Sequence, residues 1–144
     1  MGRNLAGEAI AIQGKLTHKL PAAPETEIVV DPDNTVTISW EIGTDLGNCA
    51  VPRGLRNPAR VRVVRWEVAV EPNADALPGG VLPNGVPFAK LTLQLLGKQR
   101  SVVVPASFID GYLAVGVNEF KGEVGAREVG GNQTFTEIEF TIEL

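Results

Sequence analysis

The sequence predicts a single all-β domain, a sandwich or barrel of about eight to ten short antiparallel strands, with a jelly-roll-like strand order as the first expectation. Apolar and polar residues alternate with a period of two through most of the chain, as they do in strands with one buried face. The 16 glycines and 10 prolines among 144 residues favour frequent turns over long helices. No stretch combines a helical apolar stripe with helix caps.

The clearest element is a β-hairpin over residues 27–42. Its second strand places four apolar side chains on one face: Val36, Ile38, Trp40 and Ile42. The first strand, 27–30, is separated from it by Asp31-Pro32-Asp33-Asn34, a composition typical of a tight turn. We therefore interpret the two aspartates as turn residues rather than as calcium ligands, and we expect Trp40 to lie in the core.

Two other alternating segments each contain an irregularity. Residues 9–20 alternate around Gly14, which predicts a strand that is kinked or bulged at this glycine. In residues 60–71 the apolar phase changes between Val63 and Val64, which predicts a β-bulge that re-aims the strand. Trp66 shares the second phase with its aliphatic neighbours, so we expect it to be buried as well.

The remaining strands are predicted at residues 89–96, 101–104, 112–118, 120–129 and 133–144. Two connections, 43–59 and 72–87, are longer than the linkage of strands requires. The second contains four prolines, which restrict it without helix or sheet: Pro72, Pro78, Pro83 and Pro87. We expect this loop to form an ordered surface contact. Residues 1–144 are interpreted as one domain with a short N-terminal arm at about 1–7, which buries little surface by itself.

Composition argues against several classes of protein. The formal net charge of −4 argues against a uniformly basic nucleic-acid binder. One cysteine and one histidine exclude a disulfide framework and the usual metal sites built from several cysteines or histidines. The chain lacks the run of about 18 apolar residues that a membrane helix needs. Residues 1–13 also lack the apolar core of a signal peptide, so we expect a protein made in the cytoplasm, without membrane contact.

No residue pattern indicates catalysis. His18 has the parity of the apolar residues in its strand, so we interpret it as a partly buried strand residue rather than as a base. Cys49 lies in a loop near Arg53 and Arg56, which could lower its pKa, but we interpret it as an ordinary loop residue. The glycines of residues 122–131 lack the context of a phosphate loop, so we assign them to turns and close backbone approach. We predict no catalytic, cofactor-binding or metal-binding residue, and no cofactor.

Charge is distributed unevenly along the chain. Five arginines fall within thirteen positions: Arg53, Arg56, Arg60, Arg62 and Arg65. Six acidic residues lie close to the C-terminal end: Glu119, Glu123, Glu128, Glu137, Glu139 and Glu143. Three interpretations stay open, namely nucleic-acid binding by the arginines, cross-strand pairing within the monomer, and complementary charge between subunits. The acidic total argues against the first, so we do not expect nucleic acid as a partner.

From these features we expect a non-enzymatic structural assembly protein, specifically a virus or bacteriophage particle component such as a capsid decoration (cement) or minor capsid protein, located in the virion. Its partners would be further copies of this chain or a larger protein shell, bound through the arm, the stiff loop and the opposed charges. The expected interface residues are Arg3, Arg53, Arg56, Arg60, Pro78 and Pro83.

Two other classes of function stay open. The first alternative is a carbohydrate- or protein-binding β-sandwich module, which would display exposed aromatic side chains or a polar pocket. The second is an enzyme, such as a lyase or isomerase on a jelly-roll scaffold. Trp40 and Trp66 are the aromatic residues that a binding module could use, but both share parity with aliphatic neighbours.

Overall fold

The computed structural model of the protein describes residues 2–3, 9–10, 20–43 and 61–144. Within these ranges the strands are β1 (Gly2–Arg3), β2 (Ala9–Ile10), β3 (Glu25–Val30), β4 (Val36–Glu41), β5 (Arg65–Pro72), β6 (Leu91–Leu96), β7 (Ser101–Val104), β8 (Glu119–Arg127) and β9 (Gln133–Thr141). A single described α-helix, α1 (Ala106–Leu113), connects β7 to β8.

The strands form two larger antiparallel sheets, one of three strands in the order β3-β4-β7 and one of four strands in the order β6-β5-β8-β9. Strands β1 and β2 pair separately. Large side chains from both sheets are buried together between them: Ile38, Trp40, Trp66 and Phe120. The ring centroids of Trp40 and Trp66 lie 5.7 Å apart, so the two predicted core tryptophans join the sheets directly.

The prediction of an all-β sandwich is confirmed. Its strand order is simpler than that of a jelly roll, which has eight strands in two Greek keys. Of the five pairings within the two larger sheets, three join strands that follow each other in the described sequence: β3–β4, β5–β6 and β8–β9. The sandwich is therefore built mainly from hairpins.

The hairpin predicted at 27–42 is confirmed, with β3 and β4 in register from Glu25 opposite Glu41 to Val30 opposite Val36. Its turn forms as the composition predicts. The backbone N–H of Thr35 donates to the Asp33 carboxylate at 3.0 Å, and this hydrogen bond lowers the pKa of Asp33. Asn34 has a φ of 65°, a left-handed conformation that asparagine adopts more readily than most residues.

The irregularity predicted before Trp66 is also present, displaced by one residue. Arg65 is the register partner of Arg127, while the N–H of the preceding residue, Val64, donates to the carbonyl of the same arginine at 2.8 Å. Two consecutive residues thus face one residue, which is the arrangement of a β-bulge. The kink predicted at Gly14 and most of the 43–59 loop lie outside the described residues.

One predicted strand, 112–118, is wrong. Its first two residues end helix α1, and a turn follows before β8 begins at Glu119. The helix spans only eight residues after Pro105 and has no side-chain cap at its start, so it shows neither a long apolar stripe nor a capping residue in the sequence. Its two buried side chains, Ile109 and Tyr112, pack it against the sandwich.

The segment before β3 is attached to the last strand. The hydroxyl of Thr134 donates to the carbonyl of Pro21 at 2.6 Å, and the hydroxyl of Thr136 donates to the carbonyl of Pro24. Both threonines lie on β9, whereas the prolines lead into the opposite sheet. These side-chain bonds close one edge of the sandwich.

Candidate interaction surfaces

The structure describes only part of the predicted interface. Arg53, Arg56 and Arg60 lie outside the described residues, as do His18 and Cys49. Arg3 is placed by its backbone alone, in β1 opposite Ala9. Pro78 and Pro83 are both exposed, on the connection between β5 and β6. We name residues 73–90 the β5–β6 loop.

The β5–β6 loop is folded onto the sandwich. It contains two short 3-10 turns, Ala74–Ala76 and Pro78–Gly80, although the sequence predicted a loop without helix. Three of its apolar side chains pack against the core: Leu77, Leu82 and Val86. Burial of these side chains attaches the loop to the domain, in addition to the restriction that its prolines impose. That the loop forms a surface contact with a partner stays a prediction.

The side chain of Tyr112 fixes the end of the loop. Its hydroxyl accepts a hydrogen bond from the N–H of Ala89 at 2.8 Å and donates one to the carbonyl of Pro87 at 3.0 Å. The residue between these two contacts, Phe88, is 55% exposed, and Val81 earlier in the loop is 65% exposed. Helix α1 thus holds a loop that presents an aromatic and an aliphatic side chain to solvent.

Replacing Tyr112 with phenylalanine is expected to lower the free energy of unfolding by about 1–2 kcal/mol, because two hydrogen bonds lose their shared partner. The amide of Ala89 should exchange its hydrogen faster, since its acceptor is gone. Denaturant unfolding and amide exchange measure the two effects. A variant with unchanged exchange at Ala89 would show that the tyrosine does not hold the loop.

A second surface lies on the four-stranded sheet, on the side away from the core. Its side chains come from alternate positions of three strands, a set that we name the outer sheet face: Arg65, Glu67, Ala69, Glu71, Lys121, Glu123, Gly125, Arg127, Gln133, Phe135, Glu137 and Glu139. Glu137 and Glu139 are exposed on it, as the alternation of the last strand predicts. Its acidic and basic side chains are concentrated at opposite ends of these strands.

The acidic end of this face is a shallow cleft of about 430 Å³. Five carboxylates and two ammonium groups line it: Glu71, Asp75, Glu123, Glu137, Glu139, Lys90 and Lys121. Lys90 lies 3.9 Å from Glu71 and 4.0 Å from Glu123. Lys121 is 2.7 Å from Asp75, a hydrogen bond that raises the pKa of the lysine. The two lysines neutralise the carboxylates only in part.

The basic end lies at the other end of the same strands. Arg65 and Arg127 are register partners there. Among the described residues neither arginine has a carboxylate within ion-pair distance, and Nε of Arg127 is buried without a hydrogen-bond partner. The outer sheet face therefore carries unneutralised charge of opposite sign at its two ends.

An aromatic side chain separates the two ends. Phe135 is register partner of Gly125, and an added Cβ on this glycine would lie 2.6 Å from the phenyl ring. The ring thus covers the glycine while remaining 44% exposed. Sequence reasoning missed this residue, although the period-two pattern that places Ile138 and Phe140 inward also places Phe135 outward.

One of the six acidic residues near the C-terminal end is buried. Glu128 is 1% exposed. Its two carboxylate oxygens accept hydrogen bonds from the N–H groups of Gly130 at 2.8 Å and Asn132 at 3.1 Å, which close the β8–β9 turn. The position continues the inward parity of Phe120 and Val124, so the strand pattern contained the signal.

Within the described ranges, no group of three or more His, Cys, Asp or Glu side chains is placed to hold a metal ion. The part of the chain that the structure describes contains no helix long and apolar enough to cross a bilayer.

Comparison with known proteins supports the architecture. The sequence matches no protein-family profile and no curated protein. The third fibronectin III domain of human KIAA0343 protein is similar with a TM-score of 0.50 and 13% identity, over 93% of this chain and 92% of that chain. The Clostridium perfringens spore cortex lytic enzyme SleM gives a TM-score of 0.48 and 14% identity, over 85% of this chain but only 28% of that chain. The likeness to the fibronectin III domain agrees with the strand pairing described above, that of a small antiparallel β-sandwich.

Proposed function

We propose that the chain is a non-enzymatic structural assembly protein that acts through subunit–subunit contacts, and specifically a component of a virus or bacteriophage particle such as a capsid decoration (cement) or minor capsid protein. The observation that carries the proposal is the β5–β6 loop, which presents Val81 and Phe88 to solvent from a segment attached to the core. Exposed side chains of this kind on an ordered loop are suited to insertion between neighbouring subunits.

The order of the loop favours binding energetically. Ordering a loop on association costs free energy, so a loop already held in place retains more of its contact energy as affinity. Three exposed prolines restrict the backbone further: Pro78, Pro83 and Pro87. The contacts of Tyr112 hold the backbone on both sides of Phe88. The exposed aromatic ring can serve as an anchor in a partner's pocket, a role in which large aromatic side chains are common.

The charged sheet face supports the same proposal. Exposed ion pairs are screened by water and contribute little to stability, so the pairs of Lys90 and Lys121 account for little of the monomer's stability. Charge that is separated on one face instead sets the orientation of an approaching subunit. Together the two surfaces give a subunit an anchor and a means of alignment.

The test compares the mass in solution of the wild type with that of the double variant Val81→Ser/Phe88→Ser. Light scattering at two protein concentrations should show a trimer or larger assembly for the wild type and a smaller species for the variant. Pro32→Ser, on the exposed β3–β4 turn, is the control and should leave the mass unchanged. A wild type that is monomeric at both concentrations would overturn the proposal and favour the binding module as the alternative.

A further inference from the structure

We infer that the outer sheet face binds the same face of a second copy of this chain around a two-fold axis, with the basic end of each copy against the acidic end of the other. The inference rests on the proposed function and deepens it by naming a partner and a surface. The outer sheet face does not include Val81 and Phe88, the exposed loop side chains of the proposed function, so variants can separate the two.

The first argument is the arrangement of charge about Gly125. On β8, Glu123 and Arg127 lie two residues to either side of this glycine and point the same way. At a rise of ~3.4 Å per residue they are about 14 Å apart. A two-fold axis between the faces, at right angles to the strands and over Gly125, therefore places Arg127 of each copy opposite Glu123 of the other.

The second argument is that the operation gives both arginines carboxylate neighbours. Glu67 is the register partner of Gly125 and so lies on the axis, where the Glu67 side chains of the two copies face each other. The Arg65 side chains of the two copies flank this pair of carboxylates, one on each side. Arg65 and Arg127 have no carboxylate partner among the described residues of one copy, and the second copy supplies these partners.

The third argument is the apolar centre. Phe135 is also register partner of Gly125, so the axis brings the phenyl rings of the two copies together. Its ring is held over the glycine and does not need to be ordered on binding. A central aromatic contact surrounded by charged pairs is the usual anatomy of a specific interface. An isologous contact of this kind closes on itself as a dimer.

Charge reversal at two positions tests the geometry. Arg127→Glu alone places two carboxylates opposite each other at both symmetric contacts, and Glu123→Arg alone does the same with two arginines. Each variant should dimerise at least about tenfold more weakly than the wild type in sedimentation equilibrium, because like charges oppose each other. An equimolar mixture of the two variants should recover the wild-type affinity, since every contact then joins opposite charges.

The controls separate this contact from a general effect of charge and from misfolding. Lys98→Glu makes the same change of charge on the exposed β6–β7 turn, at a residue that is not part of the outer sheet face, and should dimerise as the wild type does. The double variant Arg127→Glu/Glu123→Arg restores opposite charges within one chain, so its recovery shows that the single variants did not simply unfold. Circular dichroism of each variant confirms the fold directly.

Two outcomes overturn the inference and remain distinguishable from failure of the proposed function. If assembly persists in both single variants but is lost in Val81→Ser/Phe88→Ser, the proposed sheet contact is wrong and the proposed assembly function stands. If the mixture of the two variants associates as weakly as each variant alone, the proposed sheet contact is also wrong, because the acidic and basic ends then do not meet. A wild type that is monomeric under all conditions would contradict both the sheet contact and the proposed assembly function.

Discussion

Replacing Trp66 with alanine is expected to lower the free energy of unfolding by about 3–5 kcal/mol, the largest effect of any single substitution considered for this protein. The indole is 1% exposed and contacts Trp40 across the sandwich. Its Nε1 also donates to the carbonyl of Gly97 at 3.0 Å, which ties β5 to the β6–β7 turn. Removing the side chain thus leaves a cavity between the sheets, and the Gly97 carbonyl keeps only its hydrogen bond from Arg100.

Urea unfolding followed by circular dichroism measures this loss. Leu144→Ala serves as the control, because that side chain is 81% exposed and its truncation should change stability by no more than about 0.5 kcal/mol. Equal midpoints for the two variants would contradict the assignment of Trp66 to the core. The guanidinium of Arg100, 5.2 Å from the indole ring centroid, would lose its aromatic contact as well.

Replacing Glu128 with alanine should lower the free energy of unfolding by about 2–4 kcal/mol, because the N–H groups of Gly130 and Asn132 then lose their acceptor in the β8–β9 turn. Glu128→Gln should be intermediate, since its amide oxygen can accept one of the two bonds but its NH₂ group can accept none. Glu137→Ala is the matched control, an exposed glutamate on the adjoining strand. Thermal and urea unfolding give the comparison.

The decisive observation is the order of the three variants. If Glu128→Gln is as stable as the wild type, the second carboxylate oxygen contributes nothing to the turn. If Glu128→Ala resembles Glu137→Ala, the buried carboxylate does not hold the turn at all. Gly131 completes the same turn in a left-handed conformation, with φ of 94°, which glycine adopts without a steric penalty.

Local patterns predicted the parts of the fold that depend on neighbours in sequence. The β3–β4 hairpin followed from alternation and turn composition, because both the strand faces and the Asp33 contact are set within a few residues. The irregularity before Trp66 was visible as a change of apolar phase. Helix α1 was not predicted, because its eight residues are stabilised by burial of Ile109 and Tyr112 rather than by a cap or a long stripe.

The interaction surfaces were predicted less completely because they depend on strand order. Arg65 and Arg127 are 62 residues apart in the sequence and meet only because β5 pairs with β8. The contact of Tyr112 with the β5–β6 loop likewise joins segments that no local pattern relates. Alternation identified the exposed carboxylates Glu137 and Glu139, but only the register shows which cations lie beside them.

The attachment of residues 20–24 to β9 has a mechanical consequence. Tension applied to the C-terminal end of the sandwich acts first on β9, whose backbone pairs with β8 alone among the described strands. The hydroxyls of Thr134 and Thr136 pass part of that load to Pro21 and Pro24, and from there to the opposite sheet. Stretching the domain from this end therefore strains both sheets together, and the last strand cannot peel away without first releasing the segment that leads into β3.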